Sequence, residues 1–176
     1  MSTQARVSAE NGRFNTRDFM EKAIDLALFR AIAETAPDAI IFADTTGVIR
    51  FWNDSAKAVF GYSADEAWGR SLDLIIPERL RRAHWDAFQR AIELGQTRLG
   101  RQALATRAVH KDGSQLYVEL SFAVVKDTEG KVAGALGLAR DITGRYVADS
   151  ALRKRLSELE DRLKACPPSS GRGMEV

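Results

Sequence analysis

The stretch Ile40–Tyr62, IIFADTTGVIRFWNDSAKAVFGY, decides how the rest of the chain is read. Two short apolar runs, Ile40-Ile41-Phe42 and Val48-Ile49-Arg50-Phe51-Trp52, flank Asp44-Thr45-Thr46-Gly47. β-Branched and aromatic residues favour pleated strands, and an acidic, hydroxyl-bearing tetrapeptide ending in glycine favours a tight turn between them. Asn53-Asp54-Ser55 stops the second strand and offers a helix N-cap. Ala56, Val59 and Phe60 supply a helical stripe, which Gly61 ends because glycine tolerates left-handed backbone. Strand, turn, strand and short helix follow in order. Such a unit cannot bury its own apolar face, so the remainder of the chain must cover it.

Upstream, residues 1–15 are polar and carry Gly and Asn, a composition that predicts disorder. Residues 16–36 read as a helix that Thr16 can cap and Pro37 ends, by restricting Ala36. Met20, Ile24, Ala27, Leu28, Ala31 and Ile32 keep helical spacing, and Phe19, Leu26 and Phe29 widen the apolar surface beyond one stripe. A helix too apolar for one contact face is either clasped onto its own domain or shared with a second copy. Downstream, Ser63 caps a short helix through Trp68, and Asp65 and Glu66 suit its N-terminal turn. Pro77 is expected as the first residue of a long helix closed by Gly95. Three strands are expected near 99–110, 115–126 and 132–141, joined by Lys111-Asp112-Gly113 and Asp127-Thr128-Glu129-Gly130. The fold class is therefore α+β, a five-stranded antiparallel sheet with helices on one face, over residues 37–143.

A last helix, 144–165, carries Leu152, Leu156, Leu159 and Leu163 at heptad spacing. It is less than two full heptads and reads as a signalling helix that needs a partner, or as a clamp on its own domain. Residues 166–176 contain two prolines and two glycines and read as a disordered tail. No kinase, cyclase or helix-turn-helix pattern follows, so any output is expected to act through another chain.

Bulk properties narrow the class further. The chain has 176 residues, 45% hydrophobic and 28% charged, enough for one domain with terminal helices. A net charge of +2 gives no field that recruits nucleic acid or a membrane surface. One cysteine, Cys166, excludes an intrachain disulfide framework and suits a reducing compartment. The N-terminus lacks a signal-peptide core and no run is long enough to span a bilayer, so the cytoplasm is the expected location.

The ordered motifs carry a resemblance. Asp44-x-x-Gly47-x-Ile49-x-x-x-Asn53, then Phe60-Gly61-Tyr62, Glu66 and Gly69, resembles the first half of a PAS sensor domain. Lys111-Asp112-Gly113 and Arg140-Asp141-Ile142-Thr143 match that family's later turn and exit motif, so the likeness runs from about Phe29 to Thr143. It implies a signal-sensing module, with dimerisation through the N-terminal helix.

His84 is the main candidate for chemistry. It lies four residues after Leu80 and four before Phe88, with Ala87 and Ala91 beside it, which puts an imidazole on an apolar helical stripe. A buried imidazole left without a partner costs about 1–3 kcal/mol. Either a backbone carbonyl or water satisfies it, or it is an iron ligand. Pro77-Glu78…His84 resembles the proximal helix of the FixL-type haem PAS sensors, and that resemblance implies haem b with His84 on the iron. It further implies Arg90 and Arg98 near the propionates, where charge-assisted bonds suit carboxylates. Leu99, Leu104, Leu120 and Phe122 would then line the opposite side, and Gly137 would belong to a small face with Ala133, Ala135 and Ala139. The position of the family's oxygen-contacting arginine is occupied here by Leu104, so the resemblance implies weak oxygen retention and makes CO or NO equally suitable.

No Ser/His/Asp geometry, Cys/His metal cluster or phosphate loop can be assembled, so no catalysis is expected. His110 is expected to be exposed, and Trp52, Trp68 and Trp85 are too scattered to stack nucleic-acid bases. Three functions are compatible with these residues: a haem-based gas sensor; a sensor of another small ligand, or an empty dimerisation module; and an adaptor docking onto a separate histidine kinase or regulator.

Overall fold

The computed structural model describes residues 16–98 and 102–165. The disorder expected at 1–15 and 166–176 lies outside the described residues. Helix α1 (Thr16–Thr35) leads into strands β1 (Ala39–Asp44) and β2 (Ile49–Trp52), then helices α2 (Asp54–Phe60) and α3 (Ala64–Ala67). A 3-10 turn (Leu72–Leu74) precedes helix α4 (Glu78–Leu94). Strands β3 (Leu104–Val109), β4 (Gln115–Lys126) and β5 (Val132–Asp141) follow, and helix α5 (Thr143–Ala165) ends the described chain. The sheet order is β2-β1-β5-β4-β3, with every neighbouring pair antiparallel. β1 and β5 therefore join the two halves of the chain, in register from Ala39 opposite Ala139 to Asp44 opposite Gly134.

Local chemistry explains why the opening unit forms. The Asp44 carboxylate accepts from the Thr46 amide at 3.0 Å, the Thr46 hydroxyl at 2.6 Å, the Val48 amide at 3.1 Å and Arg50 Nε at 2.8 Å. Partial burial pushes this carboxyl up, and the bonds from Thr46, Arg50 and Val48 outweigh it, holding the group at about 2. Gly47 has φ +81°, and a Cβ there would run into the Trp85 ring. The turn thus needs glycine for its backbone and again as the seat of an indole from α4.

Asn53 is the knot of the domain. It is fully buried; its Oδ1 accepts from the amides of Ile40 and Ala56, each at 2.9 Å. Its Nδ2 donates to the carbonyls of Ala33 at 3.0 Å and Asp38 at 3.1 Å. One side chain therefore fixes the end of α1, the start of β1 and the start of α2. The Ser55 hydroxyl adds a bond to the Ala36 carbonyl at 2.6 Å. Beyond these anchors α1 leaves Leu26, Leu28, Phe29 and Ile32 exposed.

Some expectations shift. β3 is Leu104–Val109; of the expected 99–110, Gln102, Ala103 and His110 lie outside the strand, and 99–101 lie outside the described residues. Pro77 stands outside α4 as its N-cap, with ψ 134°, and Glu78 is the first helical residue. His110 is half-buried, not exposed; its imidazole lies against Gly61, whose φ of +80° and missing Cβ leave the room. Trp52 is buried, but Trp68 is exposed and does not pack in the core.

Candidate functional site

The core does not fill the space between α4 and the sheet. A cavity of about 480 Å³ remains, inside the roughly 300–1,000 Å³ typical of small-molecule and cofactor sites. α4 contributes Leu80, Ala83, His84, Ala87, Phe88 and Ala91, the stripe whose spacing is legible in the sequence. The sheet contributes small residues along β5, namely Ala135, Gly137 and Ala139, and larger ones, Leu120 and Phe122, on β4. Small side chains on alternate positions of a central strand leave the space between helix and sheet unfilled. Ala83, Ala87 and Leu104 line the cavity while remaining exposed, so it opens to solvent between α4 and β3.

His84 is the polar group of this wall. Its Nε2 is buried and has no hydrogen-bond partner among the described residues. The ring meets Trp85 edge-on at 5.1 Å between centroids and lies near Phe88 at 6.0 Å, so three aromatic rings form one side of the helix. Burial pushes the imidazole below its ordinary value of 6.5, and the nearby Asp73 carboxylate opposes that push only in part. A neutral imidazole keeps a lone pair free, the form required of a metal ligand.

Two residues that complete this wall carry no signal in the sequence. The Trp85 indole donates to Asp73 Oδ1 at 2.9 Å, and the Arg81 guanidinium donates to the Asp73 backbone carbonyl at 3.2 Å. They tie the start of α4 to the preceding 3-10 turn and hold Trp85 beside His84. The contact joins positions twelve apart across an irregular connector, where no periodicity exists to read.

The other candidate positions divide. Arg98, Leu104, Leu120, Phe122 and Gly137 all line the cavity. Arg90 is exposed and does not line it, because its place on α4 falls away from the Leu80–Ala91 stripe. Leu99 lies outside the described residues. Ala133 does not line the cavity either; the register of β4 and β5 shifts beside it, between Val125 and Lys126. Arg107 follows Thr106 on β3, so its side chain leaves by the opposite sheet face, where it sits 5.8 Å from the Tyr117 ring. Arg107 nevertheless borders the cavity, as the next residue after Thr106 on the strand that walls it.

The residues present fit a haem group. A lone imidazole with an unpartnered buried nitrogen, a mostly apolar lining with no carboxylate among its members, and Arg98 at the exposed edge match its donor and solubility needs. Among the described residues no group of three or more His, Cys, Asp or Glu could hold a bare metal ion, and no helix is long and apolar enough to cross a membrane.

Comparison with known proteins agrees with this geometry. The PAS fold family matches residues 27–142. The oxygen sensor protein DosP of Escherichia coli is 30% identical over 121 residues, covering 69% of this chain and 15% of DosP. The sensor protein FixL of Bradyrhizobium diazoefficiens is 27% identical over 145 residues, covering 79% of this chain and 28% of FixL. The chain thus spans a minor part of the length of these relatives. Among solved structures, a PAS domain from Colwellia psychrerythraea superposes with a TM-score of 0.60 at 26% identity, covering 68% of this chain and 98% of that one.

Proposed function

The chain belongs to the PAS family of sensor domains, related to sensor kinases and to an oxygen sensor, and from that premise we propose that it is a haem-based gas-sensing module. The observation that carries this reading is the buried, unpartnered Nε2 of His84 beside a cavity of about 480 Å³. His84 would hold the iron, and Arg98 is the charged group available to a propionate. Haem, when bound, supplies an iron position for a diatomic gas. The chain's own residues then set selectivity. Leu104, Leu120, Phe122 and Gly137 offer no side-chain hydrogen-bond donor; Thr97, Gln102 and Thr106 also border the cavity, and the Arg107 guanidinium sits 5.8 Å from the Tyr117 ring. With Leu104 where the resemblance places the oxygen-contacting arginine, this reading has oxygen retained weakly and leaves CO and NO as suitable signals.

The state of the cavity reaches the surface along β5. Ala135, Gly137 and Ala139 line the cavity, and the next residue, Arg140, makes a two-pronged bond to the Asp38 carboxylate at 2.7 and 2.8 Å. This fork joins the base of α1 to the strand that leads into α5. The module acts without catalysis of its own, in the cytoplasm, and hands its state through the two helices to a second copy of itself and to a separate kinase or regulator. A ligand-free PAS adaptor that docks on such a kinase is the competing reading, favoured by the exposed apolar residues on both terminal helices.

Titration of the purified chain with hemin separates the two. A one-to-one Soret transition, lost in His84→Ala with an unchanged far-UV spectrum, is expected. A wild-type chain that takes up no hemin leaves the adaptor reading in place.

A further inference from the structure

Neighbouring residues on a helix point about 100° apart, so a side chain does not ordinarily face the one that follows it. His84 and Trp85 depart from that rule. Their ring centroids are 5.1 Å apart and their planes cross at 82°, so the two rings meet in a T. Phe88, one turn further along α4, lies 6.0 Å from the imidazole at 29° to its plane. His84 Nε2 has no hydrogen-bond partner among the described residues, so no bond at that atom sets the plane of the ring. The torsion that turns an imidazole about its own bond is soft. The rings packed against it therefore decide the plane.

Two contacts from outside α4 bring the indole to its place. Trp85 Nε1 donates to Asp73 Oδ1 at 2.9 Å, and the six-membered part of the indole lies over Gly47, where a Cβ would collide with it. Asp73 is itself fixed from several sides. Its amide donates to Ser71 Oγ at 3.1 Å, its carbonyl accepts from Arg81 Nη2 at 3.2 Å, and its carboxylate lies 3.6 Å from Arg81 Nε. Arg81 Nε donates in addition to the Ile76 carbonyl at 3.3 Å. Arg81 stands one turn before Trp85, so cation, carboxylate and indole form a chain that leaves α4 and returns to it. A carboxylate held by its backbone and by a cation is placed to aim an indole.

We propose that Asp73 is a positioning residue for His84: through Trp85 it fixes the plane in which the imidazole presents Nε2 to a group in the cavity. The proposal rests on the reading, made above, of His84 as the binding group of the cavity. The lone pair of Nε2 lies in the ring plane, so that plane sets the direction in which a bond to the nitrogen can form. An imidazole already held in one plane loses little freedom on binding, which raises affinity without adding a contact to the ligand.

Nuclear magnetic resonance of the full, ligand-free chain labelled in histidine reads the ring directly. The spectra are taken at about pH 8, where the His84 imidazole is neutral. The ring current of the indole displaces the His84 ring protons, and His110 serves as the internal control. Asp73→Ala is expected to shift the His84 signals and leave those of His110 in place. Asp73→Asn keeps an oxygen that can accept from the indole, and is expected to hold them near their wild-type positions. Titration with hemin reads the consequence: Asp73→Ala and Trp85→Phe each weaken binding roughly ten-fold, while Asp73→Asn keeps most of the wild-type affinity. The double variant Asp73→Ala, Trp85→Phe loses little more than either alone, because both changes remove the same bond. His84 signals that stay in place in Asp73→Ala, or that move as far in Asp73→Asn, would overturn the proposal, as would an unchanged hemin affinity in Asp73→Ala. A wild-type chain that takes up no hemin overturns the haem reading alone, and the ring signals then decide the positioning role.

Discussion

Asn53 and His84 are two polar side chains set into apolar surroundings, and the fold treats them in opposite ways. Asn53 is fully buried and uses both its amide oxygen and its amide nitrogen, with four bonds to three different elements and their connector. His84 sits in an aromatic wall with a buried nitrogen that nothing in the described protein satisfies. The first arrangement is what a structural polar residue looks like: every group paired, and several chain segments tied by one side chain. The second leaves an unmet need next to an unfilled space. Burial alone does not separate a structural role from a binding one; the account of hydrogen bonds does.

That contrast can be broken most forcefully at Asn53. Replacement by Ala removes the partners of two amides and two carbonyls near the junction of α1, β1 and α2. Asn53→Ala is expected to destabilise the domain by about 2–4 kcal/mol, read as a lower denaturant midpoint with unchanged slope. A loss under about 0.5 kcal/mol would show that water or local rearrangement serves the backbone equally well, and the contrast with His84 would lose its structural half.

A smaller effect sharpens the other half. Burial holds the His84 imidazole below 6.5, so the unfolded chain takes up a proton at a pH where the folded chain does not. Stability from this group is therefore present above pH 6.5 and is lost as pH falls towards the folded value. The slope is at most about 1.4 kcal/mol per pH unit. Denaturation curves between pH 7 and pH 5.5 are expected to lose more stability in wild type than in His84→Leu. Identical pH dependence in the two proteins would show that His84 is not held neutral by its surroundings.

The sequence made one side of this comparison more legible than the other. Asp44–Gly47 and Asn53 announce themselves because turn and cap chemistry act over a few residues, and all of it is visible in one contiguous stretch. The His84 stripe was legible for a similar reason, since helical spacing fixes which side chains share a face. The small residues on alternate positions of β5 could be read the same way, although Ala133 falls out where the register shifts. What could not be read was anything set by the meeting of distant segments. Arg90 follows the family pattern but faces away from the cavity, because one position on a helix turns a side chain by about 100°. The seating of Trp85 on Gly47, and its bond to Asp73, depend on how an irregular connector aims α4. The half-burial of His110 against Gly61 likewise arises from a turn folding onto a helix end about fifty residues away.

The most direct test of the central claim is the stability of His84→Leu relative to wild type, measured by denaturant unfolding with and without one equivalent of hemin. Leu adds no polar atom to the wall and removes the unsatisfied nitrogen, whose burial costs about 1–3 kcal/mol. The account predicts a change of sign: the variant is more stable than wild type without hemin and less stable with it, because only wild type gains the binding free energy. A variant less stable than wild type in both conditions, by the same amount, would mean that His84 is a structural residue and that the cavity does not use it.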